Sequence, residues 1–319
     1  MKFLVILLCL TINYLWLKDL DRFDDTWFIH FRRKIAAFME SVDAAPPLSA
    51  IAPLVFIYGI PLLLVGVLLL LLQDIAFGLF TMALHMLVLL IAFDRTQPGN
   101  LVNCFLQHWR RGDTGACKDY LEQEICIPEE SDVSSPEAMS EFFKEQLIYR
   151  CFEKMFVMFF WYMLTGPLGI VFCYVSYQLR DTQADDIVAT ESRWIDTAIY
   201  LLEWIPLRLL AITFSLAGNF VHSFDQLRSV FWEFNPEQAS SIQLYSYASS
   251  ALTDAPNAYS GSAGNGEEGE GETRDLSQEE QQILDQEREI ENLQALLERS
   301  QAIWLAVLAL ITIFGLQSA

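Results

Sequence analysis

Basic residues are scarce in this chain: 20 Lys and Arg stand against 41 Asp and Glu in 319 residues, a formal charge of −21. Nucleic-acid binding draws its affinity from clustered Lys and Arg against phosphates, so the charge balance argues against nucleic acid as a partner. Paired cysteines are missing too. Cys9, Cys104, Cys117, Cys126, Cys151 and Cys173 form no CxxC motif and follow no secreted-scaffold spacing. Three of them, with His108, fall in one loop, and Cys104 and His108 share a helical face, but zinc sites show tighter pairing. The expectation is scattered reduced thiols, with no metal and no cofactor. A GxxxxGKS phosphate loop and a paired-carboxylate motif are also absent.

What is present is lipid-compatible sequence. Hydrophobic residues make up 53% and the mean hydropathy is +0.29. They come in blocks: Leu48–Leu72, which carries no charged side chain, then Ile75–Phe93, Met155–Tyr177 and Ala302–Leu316. A helix needs about 20 apolar residues to span the hydrocarbon core; the first three blocks suffice, and the flanks extend the last. The opening run, MKFLVILLCLTINYLWLKDL, lacks a small-x-small cleavage site and reads as an uncleaved helix. The expected fold class is all-α, a polytopic integral membrane protein with about four to six membrane helices and a small helical cytoplasmic loop module.

Charge orients it. The loop from Lys18 to Ser49 holds five basic residues and that from Asp94 to Lys154 holds seven, so both are expected in the cytoplasm. Residues 1–233 form the expected membrane domain, including a helical cytoplasmic loop at 94–150. An acidic, Gly/Ser-rich disordered linker at 234–275 follows, and 276–319 reads as an amphipathic helix running into the last membrane helix.

Inside the loop, LVNCFLQHWRRGD puts Phe105, Leu106 and Trp109 on one helical face, with Gly112 as the stop. A second helix is expected to start with Ser135 as cap and Pro136 in the first position. TGPLG, Thr165–Gly169, predicts a tightly packed kink in the Met155–Tyr177 span. Between Glu267 and Arg299, twelve acidic residues outnumber three basic ones, the pattern of a solvated linker or helix face. SQEE at Ser277–Glu280 matches a capping box. Ile283, Ile290, Leu293 and Leu297 then recur at helical spacing, so this arm is expected on the membrane surface or against the loop module.

One stretch conflicts with its surroundings. YLLEWIPLRLLAITFSLAG, Tyr200–Gly218, is apolar yet carries Glu203, Pro206 and Arg208. Charged residues at the centre of a membrane helix cost about 2.5–3.5 kcal/mol on insertion scales. Pro206 also frees the carbonyl of Leu202 from its helical bond. Arg208 lies about 140° around the helix from Glu203, so the two do not pair along it. The segment lies in the interface, is a broken span with partners on other helices, or lines a polar cavity. Ionisable groups inside membranes mark functional sites by default, which makes Glu203, Trp204, Pro206 and Arg208 candidates for a ligand-binding or structural polar site.

EWIPLRL, FFWYMLTGPLG, FLQHWRRGD and the terminal LALITIFGL, taken in order, resemble the AmpE family of inner-membrane regulatory signalling proteins. The resemblance implies a multi-pass protein of the bacterial inner membrane with a regulatory role in β-lactamase induction and cell-wall recycling, alongside a cytoplasmic muropeptide amidase. It names no molecular mechanism. That family is similar in turn to the cobalamin-biosynthesis membrane enzymes CobD/CbiB. Trp204, Pro206, Arg208 and Leu209 match their Asp-Asp-x-x-Asn-Trp-x-Pro-Ala-Arg-Leu pattern, but Ile199 and Tyr200 stand where the aspartates belong. Tyr149, Arg150, Glu153 and Lys154 replace a second acidic motif, Glu-Asn-x-x-Asp-Gly.

Three functions compete. The first is a non-enzymatic regulator, using Arg110, Arg111, Asp113 and Arg150 on its cytoplasmic face and meeting the bilayer plus a cell-wall-recycling protein or a small cytoplasmic ligand. The alternative is a membrane-embedded transferase or ligase on the CobD/CbiB scaffold with a different substrate. The third is a transporter using His85 and Asp74, although a lone membrane histidine usually makes one interhelical hydrogen bond.

Overall fold

The computed structural model describes residues 2–15, 26–40, 48–73, 78–92, 98–125, 133, 135–182, 189–220, 228, 239–252 and 278–317, and every regular element among them is helical. These are α1 (Lys2–Leu15), α2 (Thr26–Glu40), α3 (Leu48–Leu72), α4 (Leu79–Ala92), α5 (Pro98–Trp109), α6 (Thr114–Glu124) and α7 (Pro136–Cys151). A π-helical turn at Phe152–Val157 joins α7 to α8 (Met158–Thr165), followed by α9 (Pro167–Asp181) and α10 (Ala189–Ala217). Last come α11 (Ser240–Leu252) and α12 (Gln278–Gln317). Cys126, Asp74 and the Ser277 cap lie outside the described residues.

Three segments among the described residues are long and apolar enough to cross a bilayer: Ala52–Leu72, Ser192–Ala217 and Gln281–Thr312. Among the described residues of the block at Ile75–Phe93, the α-helix is α4. Its 14 residues reach about 21 Å against a hydrocarbon core of about 30 Å. Helix α1 is equally short.

The Met155–Tyr177 block is not one span. Gly166 takes φ 75° and ψ −149°, a conformation open to glycine alone without strain. Pro167 then starts α9 where no N–H is needed. The chain reverses there. Arg180 Nη2 lies 2.8 Å from Glu153 Oε2 across 27 residues of sequence, a separation that a straight helix would stretch to about 40 Å. Gly169 lets the arms meet, since a Cβ at that position would stand 2.8 Å from the Trp161 carbonyl oxygen. The expected kink is therefore a helical hairpin. Both arms are apolar, so their summed hydropathy imitates a single crossing.

Two compact units divide the chain. Unit 1 comprises Met1–Gln97, Phe152–Leu207 and Leu305–Ala319. Within it α9 packs against α3, α4 and α8, and α1 against α4. Polar atoms tie these apolar surfaces together. Lys2 Nζ donates to the Met163 carbonyl at 2.8 Å, Tyr58 Oη and Ser176 Oγ stand 3.0 Å apart, and His85 Nδ1 meets Tyr162 Oη at 3.0 Å. His85 thus makes the interhelical bond expected of a lone membrane histidine.

Unit 2 comprises Pro98–Cys151 and Arg208–Trp304. Phe105, Leu106 and Trp109 are buried on one face of α5, and the Phe105 ring stacks on Phe143 of α7 with centroids 4.0 Å apart. The chain turns at Gly112, and Ser135 Oγ accepts from Ala138 N at 3.1 Å, as the helix signals predict. Helix α11 occupies part of the stretch read as linker. Leu244, Tyr247, Ala248 and Ala251 are buried, a stripe at helical spacing hidden in Ser-rich composition, and α11 packs on α7. Helix α12 runs for 40 residues, Gln278–Gln317. Within unit 2 it lies against the loop helices: Ile290, Leu293, Leu296 and Leu297 are buried there, and Trp109 Nε1 donates to the Ile283 carbonyl at 3.3 Å.

Candidate functional site

Proline at position 206 removes the N–H that would bind the Leu202 carbonyl. The indole of Trp161 on α8 fills the vacancy, with Nε1 donating to Leu202 O at 3.0 Å. A half-buried hydrogen bond to backbone thus repairs the helix from a neighbouring element. Trp161→Phe leaves that carbonyl unanswered, and we expect a loss of about 1–3 kcal/mol, read as a lower unfolding temperature in detergent, with the indole-bearing protein as reference.

Glu203, on the same turn of α10, is 2% exposed. Its Oε1 accepts from the Tyr177 hydroxyl at 3.0 Å. The Tyr177 ring lies under the Arg180 guanidinium, 5.0 Å from its centroid. Arg180 donates to Glu153 Oε2 at 2.8 Å and to Asp181 Oδ1 at 2.9 Å, and Lys154 Nζ stands 3.2 Å from Glu153 Oε1. A polar chain therefore runs Glu203, Tyr177, Arg180, Glu153, Lys154, contributed by α10, α9 and the π-helical turn. Interruptions of this π type recur at functional sites. Trp204 is half-buried and Pro206 is buried. Arg208 belongs to unit 2 and is 7% exposed, whereas Arg193 and Asp196, one end of the same helix, are exposed.

Sequence reasoning did not single out Tyr177, Arg180 or Glu153 as a set. The available signal was symmetry: Glu153 and Arg180 sit almost equally far on either side of Gly166, so folding there brings them together.

The loop candidates fall in unit 2. Arg110 is turned onto the acidic arm. Its Nε donates to Glu287 Oε1 at 2.7 Å, its Nη2 makes a second bond to that oxygen, and it reaches Glu291 at 3.3 Å. The bond to Glu287 raises its pKa further. Arg111 is exposed. Asp113 caps α6, its Oδ1 accepting from Ala116 N at 2.9 Å. Arg150 donates to the Glu124 carbonyl at the other end of α6. Cys117 is fully buried, which with the nearby Asp113 pushes its thiol pKa up to about 11, so it stays protonated at neutral pH.

Among the described residues of unit 2 the deepest charge is Lys144, whose ammonium donates to Glu289 Oε2 at 2.6 Å. Burial works to lower its pKa, but the Glu289 and Tyr245 contacts outweigh that and hold it above the usual lysine value. A raised folded-state value stabilises fully below the unfolded pKa of about 10.4 and is lost as pH rises through the folded one. The pair is intact at neutral pH.

Long apolar helices, an internal polar chain and an acidic arm held by its own module define a multi-pass α-helical membrane protein. The family model of the regulatory signalling modulator protein AmpE matches residues 2–251, and the chain belongs to that family: it is a regulatory protein of the inner membrane, linked to the antibiotic response. No curated protein and no solved structure matches it. The matched stretch ends at α11, so α12 and its LALITIFGL run lie beyond it.

Proposed function

We propose that the chain acts without catalysis, as a regulator in β-lactamase induction and cell-wall recycling, and that α12 held on unit 2 sets its output. One observation supports this above the rest. The acidic extension of the last apolar segment is buried through Ile290, Leu293, Leu296 and Leu297 and pinned by Arg110 and Lys144, so anything that moves the module moves the arm. In this reading the basic loops keep residues 94–150 in the cytoplasm, and α1 and α4 also cross, their short length met by local thinning of the bilayer, within the four to six crossings expected. Glu203, Trp204 and Pro206 in unit 1, and Arg208 in unit 2, keep α10 in the working conformation. The exposed Arg111 face meets the partner, a cell-wall-recycling protein or a small cytoplasmic ligand.

The test is a charge swap. Glu287→Arg places like charges together at Arg110. An exposed pair is worth about 0.2–1 kcal/mol, so the protein stays folded while the docked population shifts by up to about five-fold. β-Lactamase activity after β-lactam challenge, at equal membrane abundance, is expected to change by a similar factor. Adding Arg110→Glu should restore it. Wild-type induction in both single variants would overturn the reading.

A further inference from the structure

Unit 2 holds a small cavity lined by Glu141 and Lys144 of α7, Tyr245 and Ser249 of α11, and Glu289 and Asn292 of α12, with a volume of about 330 Å³. That lies at the small end of the range for ligand pockets, about 300–1,000 Å³. Lys144 makes it more than a crevice. Its side chain is only 7% exposed while that of its carboxylate partner, Glu289, is 60% exposed. An ammonium carries three protons. Glu289 takes one, at 2.6 Å, and a second side of the ammonium lies over the Tyr245 ring, 5.9 Å from its centroid. One donor of this buried cation has no acceptor among the described residues.

Charge selects what fits. Lys144 and Glu289 neutralise each other, which leaves the Glu141 carboxylate as the surplus charge at the rim. A phosphate or other polyanion would be repelled by Glu141 and Glu289, and a simple amine would leave the third Lys144 proton unanswered. A compact zwitterion satisfies both, with its carboxylate on Lys144 and its ammonium on Glu141. We propose that this cavity binds a free amino acid or short peptide of that kind. The proposal deepens the small-ligand version of the reading above. Because the ligand's carboxylate then shares the Lys144 ammonium with Glu289, binding weakens one of the pins of α12, which couples occupancy to the arm.

The experiment uses the full-length protein in lipid nanodiscs and measures binding by calorimetry and thermal shift. The probes are the free proteinogenic amino acids and their glycyl dipeptides, with acetate and methylamine as single-charge controls. We expect saturable binding for at least one zwitterion and none for either control. Glu141→Gln, at the cavity rim, should weaken that binding at least ten-fold without changing the unfolding temperature of the unliganded protein. Lys144→Gln should abolish it, and Lys144→Arg should restore part. No zwitterion binding, or binding unaffected by Glu141→Gln, overturns the proposal. Because the readout is binding, its failure leaves the induction results of the charge swap standing, and the converse holds equally.

Discussion

Arg180→Met is expected to cost about 3–5 kcal/mol of stability, the range for removing one partner of a buried ion pair. Glu153 is 2% exposed, and Arg180 supplies its 2.8 Å hydrogen bond across the hairpin. Without the guanidinium the carboxylate keeps, among the described residues, only Lys154, its neighbour in sequence, which ties nothing to α9. Arg180 also covers the Tyr177 ring, and Tyr177 holds Glu203, so the loss reaches α10. The double variant Glu153→Gln with Arg180→Met removes both charges and should recover much of the deficit, because a buried pair is weak in net terms even when breaking it is expensive. Thermal unfolding in detergent distinguishes the cases. If the single variant is no less stable than the double, the pair does not clasp the hairpin.

Leu296→Ala carries the second large effect, about 2–5 kcal/mol for a buried leucine. Leu296 is fully buried in unit 2 on the packed face of α12. Truncation leaves a cavity under the arm, and residues 278–304 should become sensitive to limited proteolysis. Arg288→Ala on the opposite face, where the side chain is 74% exposed, should leave both stability and cleavage within about 0.5 kcal/mol of the parent. Equal protection in the two variants would mean that the arm is not held by this face.

The parts of the fold governed by local rules were legible in the sequence. Phe105, Leu106 and Trp109 at helical spacing gave α5 and its buried face, and Ser135 with Pro136 gave the start of α7. The parts governed by tertiary closure were not. Hydropathy sums over a window, so two short apolar arms read as one span, and the reversal shows in the φ of Gly166, the close approach that Gly169 permits and the Arg180–Glu153 contact. Helix α11 escaped for a related reason, since its stripe of four apolar residues lies among serines that signal a linker. At the candidate site the division is finer. Pro206 announces a freed carbonyl at Leu202 from sequence alone, but the donor that answers it, Trp161, lies 41 residues away. Glu203 was conspicuous as an acid in an apolar run, whereas its partner Tyr177 looked like any aromatic in a membrane segment. Arg110 stands out in the sequence by its charge, and that charge is directed at the chain's own arm.

Docking of α12 on unit 2 can be tested directly. Gln282 and Glu137 touch there, with Gln282 Nε2 donating to Glu137 Oε1 at 2.6 Å. Cysteines at both positions, in a background with the native cysteines replaced, can be joined in intact membranes by a short thiol cross-linker. The account predicts rapid cross-linking in uninduced cells, together with β-lactamase induction frozen at its uninduced level until the link is cleaved. Efficient cross-linking that leaves induction free to rise, or no cross-linking at all, would contradict it.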